Sequence, residues 1–298
     1  MKKNKKRDES YSGLITPLDL KKPSGKIANV LVSSLIIIIS LFCILPFIWA
    51  FMSGLKTTEE FYSIPATIFP KKLCWENITE LFTVYEIQNY VINSIVMILG
   101  TLIVELTTST MGGYVLSRLK PKGSKLLFTL ILWTMMMPNT LSMVPLFMTF
   151  VDFPIFHFNL MGTYFPMWII AGANCYHILM FKDFFDKIPA SYIEAAKIDG
   201  AGRIKIFFKI ILPLSKPILA TVSVFVISAS WNSFMWPLLI LTEKDTYPVS
   251  LALYKLQSNL QAPKALMFSA LMVVPMIIVY FISQRFIVRN SVNEGDKG

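Results

Sequence analysis

Charged residues are scarce in this chain. They make up 15% of its 298 residues, whereas hydrophobic residues make up 54%, which is far from the composition of an ordinary soluble domain. A bilayer core about 30 Å thick is crossed by roughly 20 apolar helical residues. Windows of about this length with at most one charge run over Ile27 to Gly54, Tyr90 to Val115, Leu126 to Phe150, Met161 to Phe181, Pro217 to Leu241 and Ala265 to Gln284. The sequence therefore predicts a polytopic membrane protein.

None of these windows alternates between polar and apolar residues, as the roughly ten-residue strands of a transmembrane barrel do. The predicted fold class is therefore all-α, with six transmembrane helices. Proline stands inside the windows at several positions, and it removes a backbone donor and kinks a helix. We expect a bundle of bent helices around a pathway.

Cysteine and histidine are also rare. Cys43, Cys74 and Cys175 are too few and too scattered for a disulfide framework or a metal-ligand spacing. His157 and His177 have no carboxylate at a catalytic or metal-binding spacing, so we expect them to pack or to lie at an interface. The chain has no GxSxG, no HExxH and no paired acidic cluster within the spans. We predict no catalytic residue, no metal site and no activity as a membrane-embedded enzyme.

A phosphate loop of the form G-x-x-x-x-G-K-[ST], which holds nucleotide phosphates, is absent as well. This chain is therefore not expected to hydrolyse ATP, nor to bind a cofactor of its own. If ATP drives its action, the ATPase has to be a separate subunit.

The net charge of +10 results from 28 Lys and Arg residues against 18 Asp and Glu residues. The positions of the Lys and Arg residues along the chain explain this excess of positive charge. If the N-terminus is inside, 22 of the 28 lie in segments on the inner side of the membrane. Cytoplasmic loops carry such an excess of Lys and Arg. Basicity here indicates topology rather than nucleic-acid binding, and it predicts cytoplasmic N- and C-termini.

The most informative segment runs from Glu194 to Pro213, on the predicted cytoplasmic side. Ala195 and Ala196 favour a helix, while Asp199-Gly200 favours a turn because glycine adopts positive φ at no steric cost. A second helix is predicted after Gly202. Its apolar face is expected to comprise Ile204, Phe207, Phe208 and Ile211 and to lie on the membrane surface.

The spacing of this segment resembles the EAA signature of permease subunits in binding-protein-dependent ABC importers. EAA is followed by three residues, Gly, nine residues and I-x-L-P, which gives Glu194, Ala195, Ala196, Gly200, Ile210, Leu212 and Pro213. YVLSRLKPKG, MMMPNTLSMVPLF and SASWNSFMWPLLI resemble the carbohydrate, MalG-like branch of that family. The charged N-terminal tail and Glu105 depart from the family's usual pattern.

The resemblance implies a type I ABC importer fold in a bacterial cytoplasmic membrane. Residues 190–213, here named the EAA loop, would form a coupling helix with Asp199 in its turn and dock on an ATPase. The partners implied are a homologous, MalF-like second permease, two ATPase subunits carrying ATP and Mg, and an extracytoplasmic solute-binding protein. The domains would be a basic tail (1–26), a permease domain (27–289) and a C-terminal tail (290–298).

Glu105 is the one charge within the second window, where a lone carboxylate costs about 2.5 to 3.5 kcal/mol unless it is paired, protonated or facing water. Two interpretations stay open for it. Its carboxylate lines the pathway and binds substrate hydroxyls, or it is a hydrogen-bonding partner between helices.

Further candidates for the pathway lie in the third and fifth windows, where hydroxyl and amide groups stand near aromatic rings. Sugars are recognised by this combination, although small polar residues also join membrane helices and Trp is common at membrane interfaces. The candidates are Asn139, Ser230, Trp231, Asn232 and Ser233.

An ion-coupled secondary transporter that uses Glu105 is the alternative function. Such carriers often have inverted repeats and several intramembrane charges. The sequence has neither, and this alternative leaves the spacing from Glu194 to Pro213 unexplained.

Overall fold

The computed structural model describes the backbone of residues 23–154 and 157–295, together with their side chains except those of Asn139 and residues 285–295. Its helices are α1 (Pro23–Gly54), α2 (Thr58–Phe61), α3 (Glu76–Thr83), α4 (Ile87–Tyr114), α5 (Ser124–Met136), α6 (Asn139–Val151), α7 (Phe165–Gly172), α8 (Cys175–Asp186), α9 (Ala190–Ile198), α10 (Arg203–Ile206), α11 (Leu212–Leu214), α12 (Lys216–Trp231), α13 (Met235–Ile240), α14 (Val249–Leu256) and α15 (Ala262–Gly295). π-helical turns cover Val115–Leu119 and Phe207–Ile211, and a 3-10 turn covers Lys244–Thr246. No strand occurs in the described ranges, and the all-α prediction is confirmed.

Three of the predicted windows are single long helices. Pro23–Gly54, Ile87–Leu119 and Ala262–Gln284 are long and apolar enough to cross a membrane. Two bent pairs raise the number of such spans among the described residues to as many as five: α5 with α6, at 104°, and Arg203–Leu214 with α12, at 77°. The 104° bend lies within the third window, where a bent helix is expected, and the 77° bend lies just before the fifth window.

The breaks lie where the sequence stops continuing a helix. Pro138 separates α5 from α6 with an extended backbone, since its ring clashes with the preceding turn of a helix. The fourth window divides into α7 and α8 at Ala173-Asn174, and the fifth into α12 and α13 at Asn232-Phe234. The fourth window thus lacks the single helix that its hydropathy predicts.

The predicted domain boundaries also shift. Helix α1 begins at Pro23, so the last four residues of the proposed N-terminal tail are helical. The rest of that tail lies outside the described residues. Helix α15 extends to Gly295, into the proposed C-terminal tail.

The chain divides into two compact units. The first comprises, of the described residues, 23–78, 261–271 and 288–295. Polar contacts hold the segment after α1: Asn77 Nδ2 donates to Gly54 O at 2.9 Å and to Lys56 O at 2.8 Å. Glu60 Oε1 accepts from the Lys71 amide at 2.7 Å. This hydrogen bond is the main reason that the pKa of the Glu60 carboxyl is lowered.

The second unit is organised around α4. This helix packs against α7, α8, α12 and α14. At its N-terminal end Asn93 Nδ2 donates to the carbonyls of Asp245 and Tyr247, at 2.6 and 3.1 Å. Phe181, on α8, and Val222, on α12, are fully buried in the same hydrophobic cluster. Helix α4 is therefore the element on which the second unit is assembled.

At Gly113 the backbone of α4 lies close to α8. A Cβ there would lie 2.7 Å from Phe181 Cβ and 2.9 Å from the Lys182 backbone nitrogen. We expect Gly113→Ala to destabilise the protein by about 1–3 kcal/mol, because the backbone of α8 has to move. The adjacent Gly112→Ala is the control, since its Cβ would meet the side-chain end of Ile178 at 3.2 Å. Equal thermal unfolding midpoints for the two variants in detergent would contradict this account.

Candidate functional site

The EAA loop begins with helix α9, whose C-terminal end shows why Gly200 is needed. Asp199 is the C-cap residue, and Gly200 follows with a φ of 75°. The Ala201 amide donates to Ala196 O at 2.9 Å, and the Gly200 amide donates to Lys197 O at 3.0 Å. This pair of hydrogen bonds is the Schellman arrangement, which ends a helix with a left-handed residue. The predicted turn at Asp199-Gly200 thus has its physical cause in the backbone.

The residues of the EAA signature divide between a buried and an exposed side. Ala196 is buried beside Ile193 in a cluster that also contains Phe181 and Phe185. The exposed members are Glu194, Ala195, Asp199, Gly200 and Pro213, while Ile210 and Leu212 are half-buried. Ala196 packs α9 against this cluster. The exposed residues form a surface that carries the carboxylates of Glu194 and Asp199.

The four residues of the apolar face predicted after Gly202 differ in burial within the chain. Phe207 and Ile211 are buried, but Ile204 is 75% exposed and Phe208 is 56% exposed. Ile206, which is not part of the predicted face, is buried, with an exposed fraction of 1%. Ile206 is the last residue of α10 and packs in the same cluster as Tyr114 and Phe207. After it, the π-helical turn at Phe207–Ile211 has i→i+5 hydrogen bonding and more residues in each turn than an α-helix.

A second group of polar residues surrounds Glu105, in the middle of α4. Its side chain is 4% exposed, and Oε1 lies 2.6 Å from Asn174 Nδ2 and 2.5 Å from His177 Nδ1. Asn174 Oδ1 also accepts from the His177 amide at 3.2 Å, which caps the start of α8. These contacts join α4 to the break in the fourth window, and they favour the interhelical interpretation of Glu105.

Each of the two histidines lies beside a carboxylate in the fold. His177 is 6% exposed and contacts Glu105, which is 72 residues away in the chain. His157 Nδ1 lies 3.0 Å from Asp152 Oδ1, and both of these side chains are exposed. No local spacing connects Glu105 with His177. A search for the donor that a carboxylate in a membrane span requires would have indicated a histidine.

The pathway candidates of the fifth window lie in different environments. Ser230 and Trp231 are buried, and Ser230 Oγ lies 3.5 Å from Thr101 Oγ1, one helical turn before Glu105 on α4. Asn232 is exposed and donates to Ser228 O at 2.8 Å. The carbonyl of Ser233 accepts from Ser250 Oγ at 2.5 Å. Asn139 begins α6, and its side chain lies outside the described residues.

Within the residues that the structure describes, no three His, Cys, Asp or Glu side chains converge as a metal site would require. Glu105 and His177 form a pair, with Asn174 as the third neighbour. The contacts of Ser230 place it on the same side of α4 as this group. Asn232 and Ser233 instead make hydrogen bonds at the end of α12.

Residues 109–291 match the family of binding-protein-dependent transport system inner membrane components. That range contains the EAA loop. The chain belongs to this family, the permease subunits of ABC importers. It is a membrane transport component, as its composition predicts.

Curated relatives resemble the chain over most of their length. The permease is 31% identical over 268 residues to the diacetylchitobiose uptake system permease protein NgcG of Streptomyces coelicolor, covering 88% of this chain and 86% of the relative. It is 27% identical to the arabinooligosaccharides transport system permease protein AraQ of Bacillus subtilis, with 93% and 98% covered. It is also 27% identical to the sn-glycerol-3-phosphate transport system permease protein UgpE of Yersinia pestis, with 87% and 94% covered.

A solved bacterial ABC transporter involved in the import of the acidic polysaccharide alginate contains a similar fold. The TM-score is 0.79 at 22% identity, and the match covers 89% of the permease and 98% of that chain. The prediction of an ABC importer permease fold is confirmed.

Proposed function

We propose that this permease imports a carbohydrate, such as an oligosaccharide or a glycerol-phosphate-like solute, by alternating access driven by ATP. The relatives named for diacetylchitobiose, arabinooligosaccharides and glycerol 3-phosphate support this cargo class. All three cargoes are rich in hydroxyl groups. The permease contributes part of the pathway and performs no chemistry of its own.

The observation that carries the coupling proposal is the exposed side of the EAA loop. Glu194, Lys197 and Asp199 project charge, and Ile198 and Ile204 are large apolar side chains left in solvent. Exposed apolar side chains rimmed by charge are typical of a protein-binding surface. The occupant we propose is an ATPase subunit, which would hold ATP and Mg while this permease binds no cofactor.

The complete importer would contain a second, MalF-like permease, two ATPase subunits and a solute-binding protein outside the cell. The asymmetry of Lys and Arg supports a cytoplasmic position for both termini and for the EAA loop. The same asymmetry makes nucleic acid an unsuitable partner. The lipid of the cytoplasmic membrane would surround the long apolar helices.

Proteoliposomes containing the permease, its partners and its binding protein test this function. We expect uptake of at least one of diacetylchitobiose, an arabino-oligosaccharide and glycerol 3-phosphate, with vanadate abolishing it and a protonophore leaving it unchanged. Uptake that is stopped by the protonophore and resists vanadate would instead support the ion-coupled transporter that uses Glu105.

A further inference from the structure

The cytoplasmic end of α4 contacts the chain on both sides of helix α9. Tyr114, Ser117 and Arg118, here named the α4 brace, are spaced i, i+3 and i+4. Side chains with this spacing lie on one helix face. The face continues into the π-helical turn at Val115–Leu119. All three side chains bind residues that flank α9.

On the N-terminal side of α9, the brace holds the end of α8. Arg118 Nη2 donates to the carbonyls of Phe185 and Ile188. Ser117 Oγ donates to Asp186 Oδ1 at 2.5 Å. The last carbonyls of a helix carry a partial negative charge and lack partners within the helix, so a guanidinium binds them well. Arg118 therefore binds the connection between α8 and α9.

On the C-terminal side of α9, Tyr114 holds the start of α10. Its hydroxyl donates to Arg203 O at 3.1 Å. Its ring also packs against that of Phe207, with the two centroids 5.1 Å apart. The EAA loop is thus tied to one helix, α4, at its entrance and at its exit.

Asp186 and Lys182, the charged residues beside the brace, remain ionised at cytoplasmic pH. Burial opposes ionisation of Asp186, but hydrogen bonds from Lys182 and Ser117 outweigh it and the pKa of Asp186 is lowered. The hydrogen bond to Asp186 is the main cause of the raised pKa of Lys182. The stabilisation from Asp186 is lost only as pH falls through its lowered pKa, and that from Lys182 only as pH rises through its raised pKa. Lys120, the other cation acting on Asp186, also lowers the pKa of Asp186.

We propose that the α4 brace is a positioning device that makes α4 move together with the EAA loop, so that displacement of the loop reaches the membrane span through α4. This inference rests on the proposed function, since it names how that loop acts. In this role Arg118 needs no contact with cargo or nucleotide. It acts by holding α8 and α9 on α4.

Arg118 makes both of its carbonyl contacts through one nitrogen of the guanidinium, Nη2. One planar guanidinium reaches two carbonyls, whereas a lysine ammonium is a point charge on a flexible stem. Arg118 Nε is buried with no hydrogen-bond partner among the described residues, so Nη2 makes the contacts with the end of α8. Lysine at this position would keep the charge and lose the paired geometry.

The test compares uptake with ATP hydrolysis in the reconstituted importer. We expect Arg118→Gln to lower the ratio of solute imported to ATP hydrolysed by about tenfold, the size of a typical coupling free energy between sites. ATPase activity stimulated by the binding protein should change little. Arg118→Lys should restore part of the ratio. Lys122→Gln, which removes a cation from an exposed position four residues later, should leave the ratio unchanged.

Tyr114→Phe removes only one hydroxyl and keeps the ring contact, so it tests the other end of the brace even if Arg118→Gln fails to fold. We expect the ratio of solute imported to ATP hydrolysed to fall in this variant too, by less than in Arg118→Gln. An unchanged ratio in Tyr114→Phe and in any folded Arg118 variant would overturn the inference. Wild-type uptake that needs no ATP would refute the proposed function itself, and the two failures are thereby distinguished.

Discussion

Gly200→Pro is expected to abolish uptake while leaving the permease in the membrane. Gly200 has a φ of 75°, and the proline ring holds φ near −65°. The substitution also removes the amide that donates to Lys197 O. Nothing lies within 4 Å of an added Cβ, so steric overlap does not contribute. The loss should exceed about tenfold, because the end of α9 has to be rebuilt at a cost of about 3 kcal/mol.

Gly123→Pro is the matched control for this experiment. Gly123 has a φ of 87° and equally open surroundings, and it lies outside the EAA loop. The measurement is uptake normalised to the amount of permease in the membrane. We expect the control to keep most of its uptake. If both variants lose uptake equally, or if Gly200→Pro transports normally, the docking role of the EAA loop is refuted.

His177→Leu should produce the largest loss of stability. The substitution leaves Glu105 buried with Asn174 as its remaining hydrogen-bond partner among the described residues. Breaking a buried pair by removing one member costs about 3–5 kcal/mol. The measurement is the thermal unfolding midpoint of the purified complex in detergent. Glu105→Leu combined with His177→Leu should recover part of the loss, because it removes the orphaned carboxylate as well.

His157→Asn is the control for His177→Leu, because it removes the exposed contact between His157 and Asp152. Exposed pairs contribute little. Asparagine is chosen because His157 has a φ of 48°, which asparagine tolerates better than most residues. We expect a midpoint close to that of the wild type. A His177→Leu variant as stable as this control would show that the buried contacts contribute little.

Sequence alone predicts those features whose causes are local. The run of apolar windows sets the class, and the spacing from Glu194 to Pro213 identifies the EAA loop because its residues are neighbours in the chain. The bend at Pro138 is predictable for the same reason. The break at Asn174 is less visible, since its surroundings are as apolar as those of a continuous helix. Its cap and its contact with Glu105 exist only in the folded protein.

The errors have a related cause. Ile206 was left out of the apolar face, although it is buried, because only residues on a regular 3.6-residue period were assigned to that face. His177 was interpreted without its partner, because 72 residues separate it from Glu105. Packing against α4 decides both. No pattern within a single segment records which helix lies beside it.

The length of α4 has a consequence for the proposed coupling. Its 28 residues extend about 42 Å at 1.5 Å per residue, with the EAA loop bound at one end and the carbonyls of Asp245 and Tyr247 bound by Asn93 near the other. A tilt of about 5° over that length displaces one end by about 4 Å relative to the other. In the proposed coupling, a displacement of the EAA loop would thus become a movement of atomic size at the 244–247 turn, at the other end of α4.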